Sequence, residues 1–244
     1  MAGMLCYVAH LHAVGSRAPE LSNREEELAA ELVKINSNQP EPNLVKYAAG
    51  RIRAGEVVGM PTDTFYGLAA DPVNLRAVER IYEIKGRSKH KPLSLIIDSI
   101  DQAEDLARDL PDEFYILARK YWPGPLTMIV KAGSRLPLKV TANTGNVALR
   151  LPAAGIPVAV VGSLGFPITA TSASLPGASD CTTAEGMRTQ LGEYVGMIVN
   201  GGPTPREVAT TIVDLSHGRD GWQILREGAI PGHEISDLLW NNAE

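Results

Sequence analysis

From about residue 43 onward the chain alternates between two hydrophobic patterns: apolar positions at helical spacing, and short unbroken apolar runs. The first pattern predicts helices. Leu44, Ala48 and Ile52 share one face of a helix running through Arg53, with Asn43 at its N-cap and Gly55 beyond its end. Leu75, Val78 and Tyr82 align likewise on a helix from about Asn74 to Lys85. Further helices are expected over residues 111–121, 157–164 and 183–191, with a short one near 235–240. Pro111 stands in a first turn, where its missing N–H costs nothing. The unbroken runs predict strands at 56–60, 93–97, 126–130, 147–151, 168–171, 197–199, 211–215 and 223–226.

Interleaved strands and helices predict an α/β fold of mixed α+β character around one sheet. The βαβ rhythm is irregular, so the sheet is expected to be mixed rather than purely parallel. Residues 1–42 read as an N-terminal appendage and linker. Ser22-Asn23-Arg24-Glu25 has capping-box spacing ahead of an acidic, Ala/Leu-rich helix ending near Ile35, and residues 36–42 are polar and contain proline. Residues 43–232 form the expected main domain, and 233–244 a short helix and tail.

Composition narrows the function classes. The 244 residues are 44% apolar, enough for a substantial core. The net charge of -5 and pI near 5.6 argue against a protein that coats nucleic acid, leaving only weak RNA binding through a local basic patch. Cys6 and Cys181 are far apart and no Cys/His cluster accompanies them, so no metal ligands are identified among the protein's residues. Both read as free thiols of a cytoplasmic protein. No apolar run approaches the roughly 20 residues of a membrane span. Met4 to Val14 is mildly apolar, but it contains His10 and His12 and lacks the basic start of a signal peptide.

Four segments are polar or glycine-rich where a core would not require it. Pro61-Thr62-Asp63-Thr64-Phe65-Tyr66-Gly67-Leu68 leaves a strand end, the usual place for ligands in α/β sheets, although hydrogen-bonded turn chemistry alone would use the same residues. Lys85-Gly86-Arg87-Ser88-Lys89-His90-Lys91-Pro92-Leu93 gathers cations that suit a triphosphate, and equally a solvated basic loop. Trp122-Pro123-Gly124-Pro125-Leu126-Thr127 reads as a rigid turn into a strand. Thr169-Ala170-Thr171-Ser172-Ala173-Ser174 follows a short strand with small hydroxyl residues that either hold phosphate oxygens or make a plain turn. Arg150 interrupts an apolar strand and needs a carboxylate partner, from the protein or from a ligand; Arg226 is placed similarly. Phosphate-loop, dinucleotide, zinc-protease and nucleophile-elbow motifs are absent from the sequence.

In this order, PTDTFYGL at 61–68, KGRSKHKPL at 85–93, WPGPLT at 122–127, VALRLP at 147–152, TSAS at 171–174, ATTIVDL at 209–215 and LREGAI at 225–230 resemble the YrdC/TsaC family of threonylcarbamoyl-AMP synthases. The resemblance covers about residues 43–230 and has the look of the short, single-domain form. It implies a twisted mixed sheet with flanking helices and a concave ligand-binding face. It also implies that L-threonine, bicarbonate or CO2, and ATP with Mg2+ give threonylcarbamoyl-AMP and pyrophosphate. Downstream machinery would then transfer the group to tRNA.

The resemblance assigns Lys85 and Arg87 to catalysis, and Arg87, Lys91, Asn146, Ser172, Ser174 and Arg226 to ATP. It assigns Arg150 to the threonine carboxylate, with Thr62, Thr64 and Thr210 lining the threonine pocket; either Thr62 or Thr64 could be the one that touches substrate. Three positions depart from the family pattern: Ser174 stands where the family has Asn, Ala209 where Glu is common, and Ile96 where some members carry His. Two other readings stay open: carbamoyl-phosphate-dependent carbamoyl-adenylate chemistry, and a noncatalytic RNA- or nucleotide-binding paralogue.

Overall fold

The computed structural model describes residues 30–86, 92–218 and 221–242. In chain order the strands are β1 (Glu31–Lys34), β2 (Val58–Pro61), β3 (Tyr66–Ala69), β4 (Ser94–Ile96), β5 (Leu126–Lys131), β6 (Asn146–Arg150), β7 (Ile168–Ser172), β8 (Met197–Asn200), β9 (Thr211–Asp214) and β10 (Gln223–Arg226). The helices are α1 (Pro42–Arg53), α2 (Leu75–Lys85), α3 (Ile100–Leu106), α4 (Asp112–Tyr121), α5 (Gly155–Leu164), α6 (Ala184–Leu191) and α7 (Gly232–Trp240). The strands make one 10-stranded sheet in the order β1-β8-β2-β3-β7-β4-β6-β5-β9-β10. Parallel pairs (β1/β8, β2/β8, β4/β6, β5/β9) are mixed with antiparallel ones, as the broken βαβ rhythm leads one to expect.

Alternation along the strands sends successive side chains to opposite faces. One face carries Leu68, Leu95, Leu126, Met128, Leu149 and Val213 into the larger core, together with Ile81 of α2, Phe114 and Leu117 of α4, Met187 of α6 and Ile235 of α7. The other face carries Val58, Met60, Ala69, Ile96, Ile168 and Val199, covered by Val45 and Ile52 of α1 and Ile156 and Val160 of α5. The register then continues this second face from Ile96 to Arg150 of β6, and from Thr127 of β5 to Ile212 of β9. Here the residues turn polar and a cavity opens.

Local chemistry accounts for most of the element ends. Asn74 caps α2 by accepting from the N–H groups of Arg76 and Ala77, and Gly86 ends it in the left-handed region at φ 52°. Trp122, at the end of α4, donates its indole N–H to the carbonyl of Leu126 at 2.8 Å and meets Phe114 edge-on at 5.5 Å.

Several expectations are corrected. Residues 31–34 are not the end of a helix but an edge strand pairing in parallel with β8, with Ile35 buried after it; the sheet thus takes in part of the expected appendage. Leu32 and Lys34 alternate with Val33 over a stretch too short for helical spacing to mean much. Asn43 is not the cap of α1: Pro42 occupies its first turn and Glu41 precedes it. Strand β3 was hidden inside the segment read as a loop, and it pairs with β2 as a hairpin, Pro61 opposite Tyr66. Helix α3, capped by the hydroxyl of Ser99 accepting from Gln102, lies where no helix was expected, because its apolar positions are few.

The last two motifs clasp each other. The Thr211 hydroxyl donates to the carbonyl of Ile230 at 2.7 Å and accepts from the N–H groups of Gly228 and Ile230, both at 3.0 Å. A Cβ on Gly228 would lie 2.3 Å from the carbonyl oxygen of Ala209 and 2.6 Å from that of Thr210, both backbone atoms that cannot swing away. Gly228→Ala is therefore expected to destabilise the fold by about 1–3 kcal/mol, measured as a lowered urea midpoint with an unchanged denaturant slope.

Candidate active site

The β2–β3 hairpin turn is rigid from within. The Thr62 hydroxyl donates to the carbonyl of Phe65 at 2.8 Å and accepts from the N–H of Thr64 at 3.1 Å. Thr62, Asp63 and Thr64 are all buried. The turn chemistry that could have been the whole explanation of this segment is thus present, and it aims two further groups, the Thr64 hydroxyl and the Asp63 carboxylate, at Arg150.

Arg150 ends β6 and is buried at 6% exposure. Its Nε donates to the carbonyl of Gly124 at 3.1 Å, its Nη1 to the Thr64 hydroxyl at 3.1 Å, and its Nη2 to Asp63 Oδ1. Gly124 is held in turn by donating its N–H to the carbonyl of Leu151 at 2.9 Å. The WPGPLT turn is therefore structural, as read, and also supplies an acceptor to Arg150. A guanidinium has five N–H groups, so the fork retains donors for a ligand oxygen. Burial pushes the Arg150 pKa down and Asp63 pushes it back up; the group stays a cation.

A second cluster joins β5, β9 and β10. Arg226 donates through Nε to the carbonyl of Thr210 at 2.9 Å and through Nη2 to its hydroxyl at 2.8 Å. The Thr127 hydroxyl also donates to Thr210 Oγ1, at 3.1 Å. With both lone pairs of that oxygen taken, the O–H of Thr210 is left to donate elsewhere. Partial burial lowers the Arg226 pKa, and the charge of Asp180 opposes that shift.

The third cluster lies where α2 ends against β7. The Lys85 ammonium donates to the carbonyls of Ser172 (2.8 Å) and Ser174 (2.7 Å) and to the Ser174 hydroxyl (2.7 Å), which donates onward to Asp180 Oδ1 at 2.8 Å. Gly86 lies so close to Pro176 that a Cβ would meet its ring at 2.7 Å. The close approach fixes the helix end against the serine-rich loop.

These clusters surround a cavity of about 410 Å³, within the range of small-molecule sites. Thr62, Thr64 and Arg150 line one part of it, Thr127, Thr210 and Arg226 another, and Ser94, Thr171, Ser172 and Asp180 a third. A hydroxyl-rich wall with guanidinium groups suits a polar, anionic ligand. Of the residues singled out from the sequence, Thr62, Thr64, Arg150, Ser172, Thr210 and Arg226 come together here. Lys85 and Ser174 stand behind the wall, bonded to each other. Asn146 is at the opposite end of β6 from Arg150 and donates to the Ser216 hydroxyl at 3.1 Å instead. Arg87 and Lys91 lie outside the described residues.

Sequence reasoning passed over Asp63, Ser94, Thr127 and Asp180. Asp63 stood in a motif already singled out and was the obvious carboxylate for a buried arginine. Thr127 also stood in a singled-out motif, which was read as a turn; Ser94 and Asp180 had no signal of their own, because strand register and loop path alone bring them to the cavity. Among the described residues no group of three or more His, Cys, Asp or Glu could hold a metal ion, and no helix is long and apolar enough to cross a membrane.

Comparison with known proteins places the chain in a family. The Sua5/YciO/YrdC family model, described as telomere recombination, matches residues 51–228. The chain is 36% identical over 197 residues to a threonylcarbamoyl-AMP synthase of Pyrococcus abyssi, covering 80% of this chain and 57% of that one. It is 37% identical over 207 residues to the Bacillus subtilis protein of the same name, covering 84% of this chain and 58% of that one. The chain therefore spans a little over half the length of these curated relatives. The crystal structure of P. abyssi Sua5 complexed with L-threonine superposes with a TM-score of 0.80 at 34% identity, over 85% of this chain and 60% of that one.

Removing one partner of a buried ion pair strands the other. Asp63→Ala is expected to cost about 3–5 kcal/mol of stability, read from urea denaturation. The double variant Asp63→Leu/Arg150→Met should cost less than Asp63→Ala alone, since it buries no orphan charge. A double variant as unstable as the sum of its parts would contradict the pairing.

Proposed function

The chain belongs to the Sua5/YciO/YrdC family, and from that membership we propose that it joins L-threonine, bicarbonate or CO2, and ATP into threonylcarbamoyl-AMP and pyrophosphate. The observation that carries this reading is Arg150. It is a buried guanidinium with N–H groups to spare, set beside the Thr64 hydroxyl in a hydroxyl-lined cavity, in a chain similar to a protein solved with threonine bound.

In this reading the carboxylate of threonine lies on Arg150, and its side chain and amine lie among Thr62, Thr64 and Thr210. The amine nitrogen bonds to the carbon of CO2 and loses a proton, giving a carbamate. A carbamate oxygen then attacks the α-phosphorus of ATP. As that O–P bond forms, the bond from the α-phosphorus to the bridging oxygen breaks, and pyrophosphate leaves with the electron pair. Such a transfer needs reactants held in line and charge neutralised more than it needs a nucleophilic side chain.

Arg87 and Lys91 neutralise the triphosphate, magnesium arriving with the nucleotide as part of the substrate. Arg226, Ser172 and Asn146 belong to the nucleotide in this assignment. Lys85 and Ser174 fix the backbone on which the nucleotide rests, since the Ser174 hydroxyl is engaged by Lys85 and Asp180. The reading places the enzyme in the cytoplasm, ahead of a transferase that passes the threonylcarbamoyl group to an adenosine of tRNA.

The test is pyrophosphate release by the purified protein with ATP, magnesium and bicarbonate. Release is expected to require threonine, and the product to have the mass of threonylcarbamoyl-AMP. Release with carbamoyl phosphate in place of threonine and bicarbonate would overturn the assignment. Thr64→Val, which removes one hydroxyl at nearly constant shape, should raise the threonine KM about tenfold and leave that for ATP within a factor of about two. Arg87→Ala should do the reverse. Equal effects on both substrates would contradict this division of the cavity.

A further inference from the structure

Asp63 is only 1% exposed, and only one of its oxygens is satisfied. Oδ1 accepts from Arg150. Oδ2 is buried without a hydrogen bond among the described residues. A carboxylate oxygen left in that state is costly. The cation facing it is Arg206, whose Nη1 stands 3.8 Å away, an ion pair too long to be a hydrogen bond. Unlike Arg150, Arg206 is largely in solvent, its side chain 45% exposed.

Arg206 sits on the connection between β8 and β9, residues 201–210. Its first part is tied down: the Ser37 hydroxyl donates to the carbonyl of Gly201, the Tyr66 hydroxyl to that of Gly202 at 2.7 Å, and the N–H of Thr204 to the carbonyl of Thr182 at 2.9 Å. Its last part, Ala209 and Thr210, forms cavity wall. Between these anchors residues 205–208 are exposed.

Charge counting shows what this arrangement can do. Arg150 and Asp63 cancel each other. If they stood alone, a substrate carboxylate brought to Arg150 would enter a buried site with no net positive charge to meet it. Arg226 lines the same cavity, but it is bonded to Thr210 and faces the charge of Asp180; Arg206 adds a cation on the far oxygen of the same carboxylate. Two guanidinium groups sharing Asp63 leave one unit of positive charge, which one carboxylate neutralises.

We propose that Arg206 is a positioning residue for amino-acid recognition: by sharing Asp63, it leaves Arg150 with the net charge that a substrate carboxylate requires. The proposal rests on the reading of Arg150 as the carboxylate site. A shift of roughly 1 Å brings Arg206 to hydrogen-bonding distance of Oδ2. Arg206 touches no substrate atom in this account; its influence passes through Asp63 to Arg150.

The experiment is calorimetric titration of the wild-type protein, Arg206→Ala and Arg206→Lys with two probes, L-threonine and L-threonine amide, which lacks the carboxylate charge. Arg206→Ala should weaken threonine binding about tenfold, leave the amide within a factor of about two, and so shrink the preference for threonine. Arg206→Lys should restore most of it. A general loosening of the loop would weaken both probes alike and overturn the proposal, as would unchanged threonine affinity in Arg206→Ala. In either case the wild-type protein would still bind threonine, and the proposed function would stand. No threonine binding by the wild-type protein would overturn the reading of the Arg150 site, and this inference with it.

Discussion

Arg150 and Asp63 meet out of contact with bulk water, and much of the site follows from what that meeting demands. Removing two ions from solvent costs several kcal/mol each, a cost that their attraction and further hydrogen bonds have to offset. The guanidinium therefore has to find acceptors in fixed places: the carbonyl of Gly124 from a proline-framed turn, and the hydroxyl of Thr64 from a hairpin turn braced by Thr62. Three stretches of chain are brought to one point by the geometry of a single side chain. The pair also explains why a strand that is apolar from Val147 to Leu149 carries an arginine at its end.

Around that point one face of the sheet does two jobs. Where Val58, Met60, Ile96 and Ile168 continue it, α1 and α5 close over the surface and complete a core. Where Thr127, Arg150 and Thr210 take over, hydroxyl and guanidinium groups line a cavity instead. The boundary between core and cavity is thus written in side-chain polarity along neighbouring strands. The same economy marks the ends of the wall: Gly228 is packed on the backbone of Thr210, and Lys85 is bonded to the backbone of Ser172 and Ser174. Lys85 and Ser174, both singled out in the sequence, are bonded to each other behind the wall rather than lining it.

The sequence made the fold class, most strands and most helices legible, because hydrophobic spacing over segments such as 74–85 admits one reading. It was weakest where elements are short. Tyr66–Ala69 holds a glycine and pairs for only four residues, and Glu31–Lys34 is an edge strand whose partner lies far along the chain. The candidate site was legible as far as its motifs reached: Thr64, Arg150, Ser172, Thr210 and Arg226 were named and do come together. Thr127 stood in a motif read as a structural turn and was given no part in the site, since its place beside Thr210 depends on β5 pairing with β9, a register that no local pattern announces. Asp180 belongs to a loop of small and polar residues, and its approach to Ser174 depends on the path of that loop.

The contacts that build the cavity join residues very far apart in the chain. Arg150 reaches back 87 positions to Asp63, and Lys85 reaches forward 89 to Ser174. Loops of that length must close before such contacts return any stabilisation, which makes them late events in folding. On the ribosome, the hairpin turn and Arg150 are both made before Thr210 and Arg226 exist. A growing chain without those residues lacks one wall of the cavity. Ligand affinity is acquired only when β9 and β10 take their places beside β5. Any ligand that fills the cavity then selects the completed molecule over its unfinished forms.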